Sequence, residues 1–271
     1  MIKEKDVTFI ITCFKSENII QKLLKKIPNN FNKIIIENSG NVKMKQLEKK
    51  FKNLKCFIMK ENLGYGRANN VAIKYSKTKY IFIINPDVNL KTKDINNILK
   101  YCQKIKFSII GFTSSTEKYY FPKDNLFIKT NEVKGFAMFI KKKDIINCLF
   151  DEKIFLYLEE IDLCRRVIKK GGSIYVLNYR LNHIGGKSHG NNSKEMEKSR
   201  NWHWMWSKFY FKKKYSSYLF SFFYYFPVLA LCLIKFLFYS NIKNKKIIYK
   251  YRFLGLLNSM IGRNAFYRPK L

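Results

Sequence analysis

Along the first half of the chain, short unbroken apolar runs alternate with amphipathic stretches. Residues 7–14 read VTFIITCF, 33–36 KIII, 55–59 KCFIM and 80–84 YIFII. Such runs predict strands, and those without polar alternation are buried on both faces. Residues 17–27, stopped by Pro28, and residues 42–51 and 67–76 predict the intervening helices. The β-α-β-α rhythm predicts an α/β domain with a mostly parallel sheet flanked by helices. In such sheets ligands bind beyond the carboxyl ends of the strands. Chemistry is therefore expected in the loops at 12–17, 37–40, 61–66 and 85–89, which hold Gly, Asn, Ser and acidic residues.

Further along, residues 113–131 are polar and predict a variable loop or short hairpin. A strand is expected at 135–140 (GFAMFI), a helix at 158–170 closed by Gly171 and Gly172, and a strand at 173–177. From Trp202 the chain turns aromatic and basic. Two parts follow from this shift: a catalytic domain over 1–200 and a basic, helical segment over 201–271.

Composition narrows the class. Of 271 residues, 47% are hydrophobic and 27% charged, which is globular rather than disordered. The net charge of +34 mostly reflects Lys spread over exposed positions. Its distribution is uneven, however: all 19 acidic residues precede Asn201, and thirteen Lys and Arg follow it. A basic segment without acids is drawn to an anionic surface, either lipid headgroups or nucleic acid. The six cysteines are scattered without a Cys-x-x-Cys pair, so they read as buried thiols of a reducing compartment. The charged start, Met1 to Asp6, leads into a strand-like run and does not read as a signal peptide.

Several short motifs carry candidate chemistry. Glu37-Asn38-Ser39-Gly40 sets a carboxylate and an amide at a strand end, fit for a base edge or a ribose hydroxyl, or for an ordinary turn. In Glu61-Asn62-Leu63-Gly64-Tyr65-Gly66-Arg67-Ala68-Asn69-Asn70 the glycines permit close backbone approach. Arg67 and the free N–H groups of the helix start there suit a diphosphate. Asn85-Pro86-Asp87-Val88 follows the YIFII strand, and an Asp so placed can bind Mg²⁺ or Mn²⁺. Glu159-Glu160-Ile161-Asp162 opens a helix ending in Arg165-Arg166. Asp162 is spaced to pair with Arg166, while one of the adjacent glutamates can take a proton from a hydroxyl. His183 heads a Gly-rich loop, HIGGKSH, from which it can reach a metal or a phosphate.

In order and spacing, ENSG, ENLGYGRANN, INPDV, GFAMFI, FDEKIFLYLEEIDLCRR and HIGGKS resemble the family 2 glycosyltransferases of the GT-A fold, in the rhamnosyltransferase-like branch. The resemblance runs from about Val7 to about Ser188. It implies that Thr12, Glu37 and Asn38 hold the nucleoside, with Glu37 standing where the family usually has Asp. It implies that Asn62, Gly64, Arg67, Asn70 and Asn85 line the nucleotide-sugar pocket. Asn85-Pro86-Asp87 occupies the place of the family's Asp-x-Asp with only its last position acidic. Asp87 and His183 are thereby implied to hold a divalent cation, Mg²⁺ or Mn²⁺. Glu160 is implied as the catalytic base, with Glu159 as the fallback, in an inverting displacement.

Residues 215–234 contain no charge and are flanked by Lys212-Lys213-Lys214 and Lys235. Twenty such residues are enough to cross a bilayer. An in-plane or re-entrant membrane helix, a span and a buried core helix all fit, the first being favoured because positive charge flanks both ends. Trp202, Trp204 and Trp206 suit either a headgroup-level position or packing onto the protein. The expected enzyme works on the cytoplasmic side of the inner membrane, peripheral or C-terminally anchored, on a saccharide or lipid-linked acceptor. A nucleic-acid-binding protein is the rival suggested by charge, but no helix-turn-helix, zinc or RNP pattern supports it. A sugar-nucleotide nucleotidyltransferase would want a Gly-rich lysine signature that residues 12–16 lack. A catalytically dead relative is a third alternative, given Asn85 and Glu160.

Overall fold

The computed structural model describes residues 2–114, 120–122, 125–183, 194–239 and 243–269. Two compact units emerge, Met1–Phe150 with Glu160–Asn191, and Asp151–Glu159 with Asn192–Leu271.

The first unit opens with β1 (Val7–Cys13), α1 (Glu17–Leu24) and β2 (Asn32–Glu37), then a 3₁₀ turn (Val42–Gln46) that runs into α2 (Leu47–Lys50). It continues through β3 (Leu54–Ile58), α3 (Tyr65–Tyr75), β4 (Tyr80–Ile84), β5 (Val88–Asn89) and α4 (Thr92–Cys102). There follow β6 (Ile109–Thr113), β7 (Phe127–Lys129), β8 (Ala137–Lys141), α5 (Lys142–Ile145), α6 (Glu159–Lys169), β9 (Ile174–Arg180) and β10 (Asn182–His183).

Eight strands make one sheet in the order β3-β2-β1-β4-β8-β6-β9-β7. The first four run parallel. β8 is antiparallel to both β4 and β6, β6 is parallel to β9, and β7 closes the edge antiparallel to β9. The chain winds outward from β1 to β3 and then returns to β4 on the other side of β1. That reversal creates a crevice at the carboxyl ends of β1 and β4, where ligands bind in open α/β sheets. Near-continuous apolar strands are possible because both faces are covered. One core layer gathers Phe9, Ile11, Ile35, Phe82 and Phe139 under α1 and α4, the other Ile10, Ile36, Ile83, Met138 and Val176 under α3 and α6.

The α/β fold is as expected, and the YIFII strand matches its expected bounds. Residues 42–51 do not form one helix, since their single turn of α follows a 3₁₀ turn. The GFAMFI strand runs against its neighbours, which makes the sheet mixed on that side.

The second unit is helical, with α7 (Lys194–Tyr215), α8 (Tyr218–Phe238) and α9 (Lys243–Met260). α7 and α9 cross closely at Gly255, where an added Cβ would lie 2.1 Å from the Trp202 carbonyl oxygen. Ser259 Oγ donates to Trp206 O at 2.9 Å, and Trp206 Nε1 donates to Arg263 O at 2.9 Å. The segment before α6 joins this unit: Ser207 Oγ donates to Leu156 O at 2.7 Å, and Asp151 accepts from Tyr210 at 2.8 Å and from Lys214 at 2.6 Å. Trp202 and Trp206 are buried in a ring cluster with Phe155 and Tyr267, which is the packing alternative for these two tryptophans. His203 is buried there as well, stacked on Phe155 at 4.3 Å, its Nε2 2.8 Å from Tyr267 O.

Candidate active site

The crevice between β1 and β4 is floored by short loops whose polar side chains bond one another. Thr12, near the end of β1, donates to Asn69 Oδ1 at 3.1 Å, and Asn69 Nδ2 donates to Tyr65 O at 3.0 Å. Glu37 ends β2 and is buried. Its Oε1 accepts from the backbone and the hydroxyl of Ser39, while Oε2 has no hydrogen-bond partner among the described residues. Burial pushes the Glu37 carboxyl up, and the Ser39 hydrogen bonds partly offset this. Asn38 donates from Nδ2 to Gly64 O at 3.2 Å, and its Oδ1 is likewise without a partner among the described residues. Two buried acceptors on neighbouring residues at the end of β2 thus lack a hydrogen-bond partner among the described residues.

Gly64 is the N-cap of α3, at φ +79°, a conformation that favours glycine. Asn62 Oδ1 accepts from Gly64 N at 3.0 Å and holds that turn. Arg67 is exposed on the first turn of α3, 3.6 Å from Glu61. Asn70 is buried, and both ends of its amide meet Phe150: Nδ2 donates to its carbonyl at 2.9 Å and Oδ1 accepts from its N–H at 2.9 Å. Its contribution to a pocket lies in fixing α3 against that segment.

Asn85 follows β4, and its backbone N–H donates to Phe136 O at 2.8 Å. Asp87, one residue before β5, is 4% exposed, with both carboxylate oxygens buried and unpartnered by hydrogen bonds among the described residues. The antiparallel β5–β10 pair sets His183 opposite Val88. His183 Nε2 comes to 3.3 Å from Asp87 Oδ1, and the ring stacks on Phe136 at 4.8 Å. The two polar atoms are close but not aligned for a hydrogen bond, and both await a further partner. A hard divalent cation suits this pair. Two donors at about 2.1 Å and right angles on one ion stand about 3 Å apart, and such ions complete their shell with water and phosphate oxygens. Among the described residues no group of three His, Cys, Asp or Glu gathers for a metal.

The chain enters α6 through Tyr157 and Leu158, both at φ +71°, a left-handed conformation costing about 1–3 kcal/mol per residue. Glu159 is buried at the helix start and Glu160 is half-buried. Negative charge here suits the helix dipole. Asp162 is fully buried and bonds Arg166 Nε at 2.7 Å, as its spacing implied. Glu160 lies against Gly135, where an added Cβ would stand 3.7 Å from the Glu160 carboxyl carbon and 3.6 Å from the Tyr65 ring. The Tyr65 hydroxyl donates to the Gly135 carbonyl. Burial pushes the Glu160 carboxyl up, while backbone N–H groups of Glu160 and Gly135 and the Lys134 charge act the other way. A carboxyl held partly desolvated in this manner suits proton transfer near neutral pH.

Gly135 and Phe136 therefore tie the parts together. Glu160 lies against the first, His183 stacks on the second, the Asn85 N–H bonds its carbonyl, and Tyr65 ties the α3 corner to Gly135. Tyr65, Phe136, Gly135 and Asn69 were not singled out from the sequence. The aromatic in GYGR and the Gly-Phe opening of GFAMFI are the signals that mark them. The rest of the HIGGKSH loop lies outside the described residues.

The sequence model of Glycosyl transferase family 2 matches residues 8–162. The chain is 25% identical over 239 residues to rhamnosyltransferase WbbL of Escherichia coli (strain K12), covering 73% of this chain and 89% of that one. Its fold is similar to that of the mannosyltransferase PcManGT from Pyrobaculum calidifontis in complex with GDP-Man and Mn²⁺, with TM-score 0.59, 10% identity, and 95% and 87% of the two chains covered. It is also similar to S. aureus TarS 1–349, with TM-score 0.52, 12% identity, and 91% and 90% covered. The fold is GT-A, and the chain belongs to glycosyl transferase family 2.

Proposed function

We propose that this family 2 glycosyltransferase moves a sugar from a nucleotide-sugar donor to a hydroxyl of a saccharide acceptor with inversion, using Glu160 as base. The observation that carries this reading is the junction at Gly135-Phe136, where a half-buried carboxylate and the Asp87–His183 pair meet on adjacent residues.

In this reading Glu37 and Asn38 present their unpartnered acceptors to the donor's nucleoside, and the α3 amino end with Arg67 faces its diphosphate. Asp87 and His183 would hold Mg²⁺ or Mn²⁺, which when bound neutralises charge on the departing diphosphate. Gly135 leaves room for the acceptor beside Glu160. That carboxylate takes the acceptor hydroxyl's proton as the oxygen attacks the anomeric carbon from the face opposite the diphosphate. One displacement at that carbon inverts it. The likeness to PcManGT, solved in complex with GDP-Man and Mn²⁺, supports the donor class and the ion, and WbbL supports a rhamnosyl or hexosyl group.

The second unit supports a place at the membrane. Among the described residues α8 is a helix long and apolar enough to cross a bilayer, and no acidic residue follows Glu197. The acceptor is then lipid-linked, as in cell-surface polysaccharide synthesis, and the enzyme acts on the cytoplasmic face. Diffuse charge without a nucleic-acid motif leaves the nucleic-acid reading unsupported. The test is a donor screen: UDP, GDP or dTDP release from the matching sugar nucleotides with Mn²⁺ or Mg²⁺. One donor should be turned over only with metal and acceptor, and turnover of none by the full chain would defeat the proposal.

A further inference from the structure

We infer that α8 does not cross the bilayer but lies flat in one leaflet, its outer face among the acyl chains and the lysines of α7 and α9 at phosphate depth. This deepens, and rests on, the membrane part of the proposed function.

Length alone is compatible with a span: 21 residues at about 1.5 Å each match a hydrocarbon core of about 30 Å. Burial along α8 follows the helical period. Ser221 and Cys232 are buried, whereas Leu219, Phe223, Phe226, Ile234 and Leu237 are exposed on the opposite side. The inner side packs Phe222, Tyr225, Val228 and Leu229 against Met205, Phe209, Leu256 and Met260. The sequence of α8 is apolar all round; its polar side is supplied by its neighbours.

Those neighbours decide the orientation. The Tyr218 hydroxyl donates to Met260 O at 3.1 Å, near one end of α8. At the other, Lys246 lies 5.8 Å from the Phe236 ring and Tyr239 stacks on Tyr249 at 5.5 Å. α8 and α9 are therefore antiparallel, and the pairing sets Arg252 about level with Val228, the middle residue of α8. Arg252 is not free to swing to a surface, because its Nε donates to Asn201 Oδ1 of α7 at 2.8 Å. A crossing α8 would hold this guanidinium and Lys250 within the hydrocarbon, where charge is expensive.

Laid flat, the same unit meets a bilayer without that cost. Lysines border the apolar face along its length: Lys212 sits 4.8 Å from the Phe220 ring and 4.7 Å from that of Tyr224, Lys235 is 5.1 Å from Tyr249, and Lys245 is 5.1 Å from Tyr239. Long side chains at this rim place ammonium groups among phosphates while their stems cover apolar surface. No acidic residue occurs from Asn201 onward to repel an anionic lipid. Charge complementarity of this kind selects an anionic bilayer over a second copy of the chain, which carries the same positive rim.

The experiment uses the full chain with Leu219→Cys, Ala230→Cys or Phe238→Cys, each bearing a fluorophore, on phosphatidylcholine vesicles containing one quarter phosphatidylglycerol. The six native cysteines are buried and stay unlabelled. Nitroxide lipids of graded depth should quench all three positions at one shallow depth. A deep Ala230 between two shallow ends means a span and overturns the proposal, as does absence of quenching with formation of a dimer. Lys245→Gln with Lys246→Gln should weaken binding to these vesicles by roughly 25-fold, and unchanged binding would also count against it. Turnover of a donor with a soluble acceptor needs no bilayer, so loss of membrane docking and failure of the enzyme reading are told apart.

Discussion

Replacing Glu160 by Gln separates the catalytic role proposed for this residue from its effect on the fold. Gln has nearly the same shape, so it fills the same place beside Gly135, and donor binding should hardly change. Loss of a general base costs about two to four decades in kcat, or about 2.7–5.4 kcal/mol of barrier. Stability moves the other way. Burial raises the Glu160 carboxyl above its ordinary value, so at neutral pH the folded state holds a carboxylate in a site that prefers the acid. The contribution is favourable below the unfolded value, where both states are protonated, and is lost as pH rises through the raised folded value. Glu160→Gln, having no charge to bury, should thus be more stable than wild type at pH 7 and equal to it in acid. Nucleoside diphosphate release and thermal unfolding measured across pH read both effects. The wild-type profile should also fall on its acid side above the usual carboxylate range, a limb missing in the variant. Near-normal kcat, or a variant less stable at pH 7, would refute the reasoning.

Other perturbations test other parts. Asp87→Asn should abolish the activity restored by Mn²⁺ after EDTA treatment while leaving the melting temperature nearly unchanged; full metal-dependent activity in this variant would contradict the assignment. Asn70→Ala leaves the buried N–H and C=O of Phe150 unpaired and should cost about 2–4 kcal/mol in denaturant unfolding. Gly255→Ala forces a methyl to within 2.1 Å of a backbone oxygen, so α7 and α9 must separate, at a cost of about 1–3 kcal/mol or more by the same measurement. Burial lowers His203 to about 3, so its stabilising effect is complete above pH 6.5 and fades as pH falls toward the folded value. That amounts to roughly 5 kcal/mol lost over this window, and a His203→Gln variant should show a correspondingly flatter acid limb.

Periodicity revealed the strands that are buried on both faces, because an unbroken apolar run needs no knowledge of its partners. Tyr80–Ile84 is the clearest case. It did not reveal that Ala137–Lys141 runs against β4, since a strand's direction depends on how the chain returns to the sheet. α4 and β6 lie between the motifs and carry none of them. Candidates for chemistry are readable where a residue type is rare for its place, as with Asp87 after an apolar strand. Its neighbour His183 is brought to it by a ladder of two residues on each side, too short to leave a periodic trace. Gly135 was hidden for another reason: its importance lies in the space beside Glu160 and Tyr65, which no pattern of side chains records. Trp202 and Trp206 show the same limit, for aromatic residues that suit a headgroup layer pack equally well in a core.

The central claim is that Asp87, His183 and Glu160 serve one bound diphosphate-sugar. A crystal structure with Mn²⁺ and a nucleoside diphosphate, using the metal's anomalous signal, tests it most directly. The expected result is a manganese peak bonded to Asp87 and His183, the diphosphate on the α3 side, and the Glu160 carboxylate facing the sugar position. A peak elsewhere, or a nucleotide bound away from the Gly135-Phe136 junction, would contradict it.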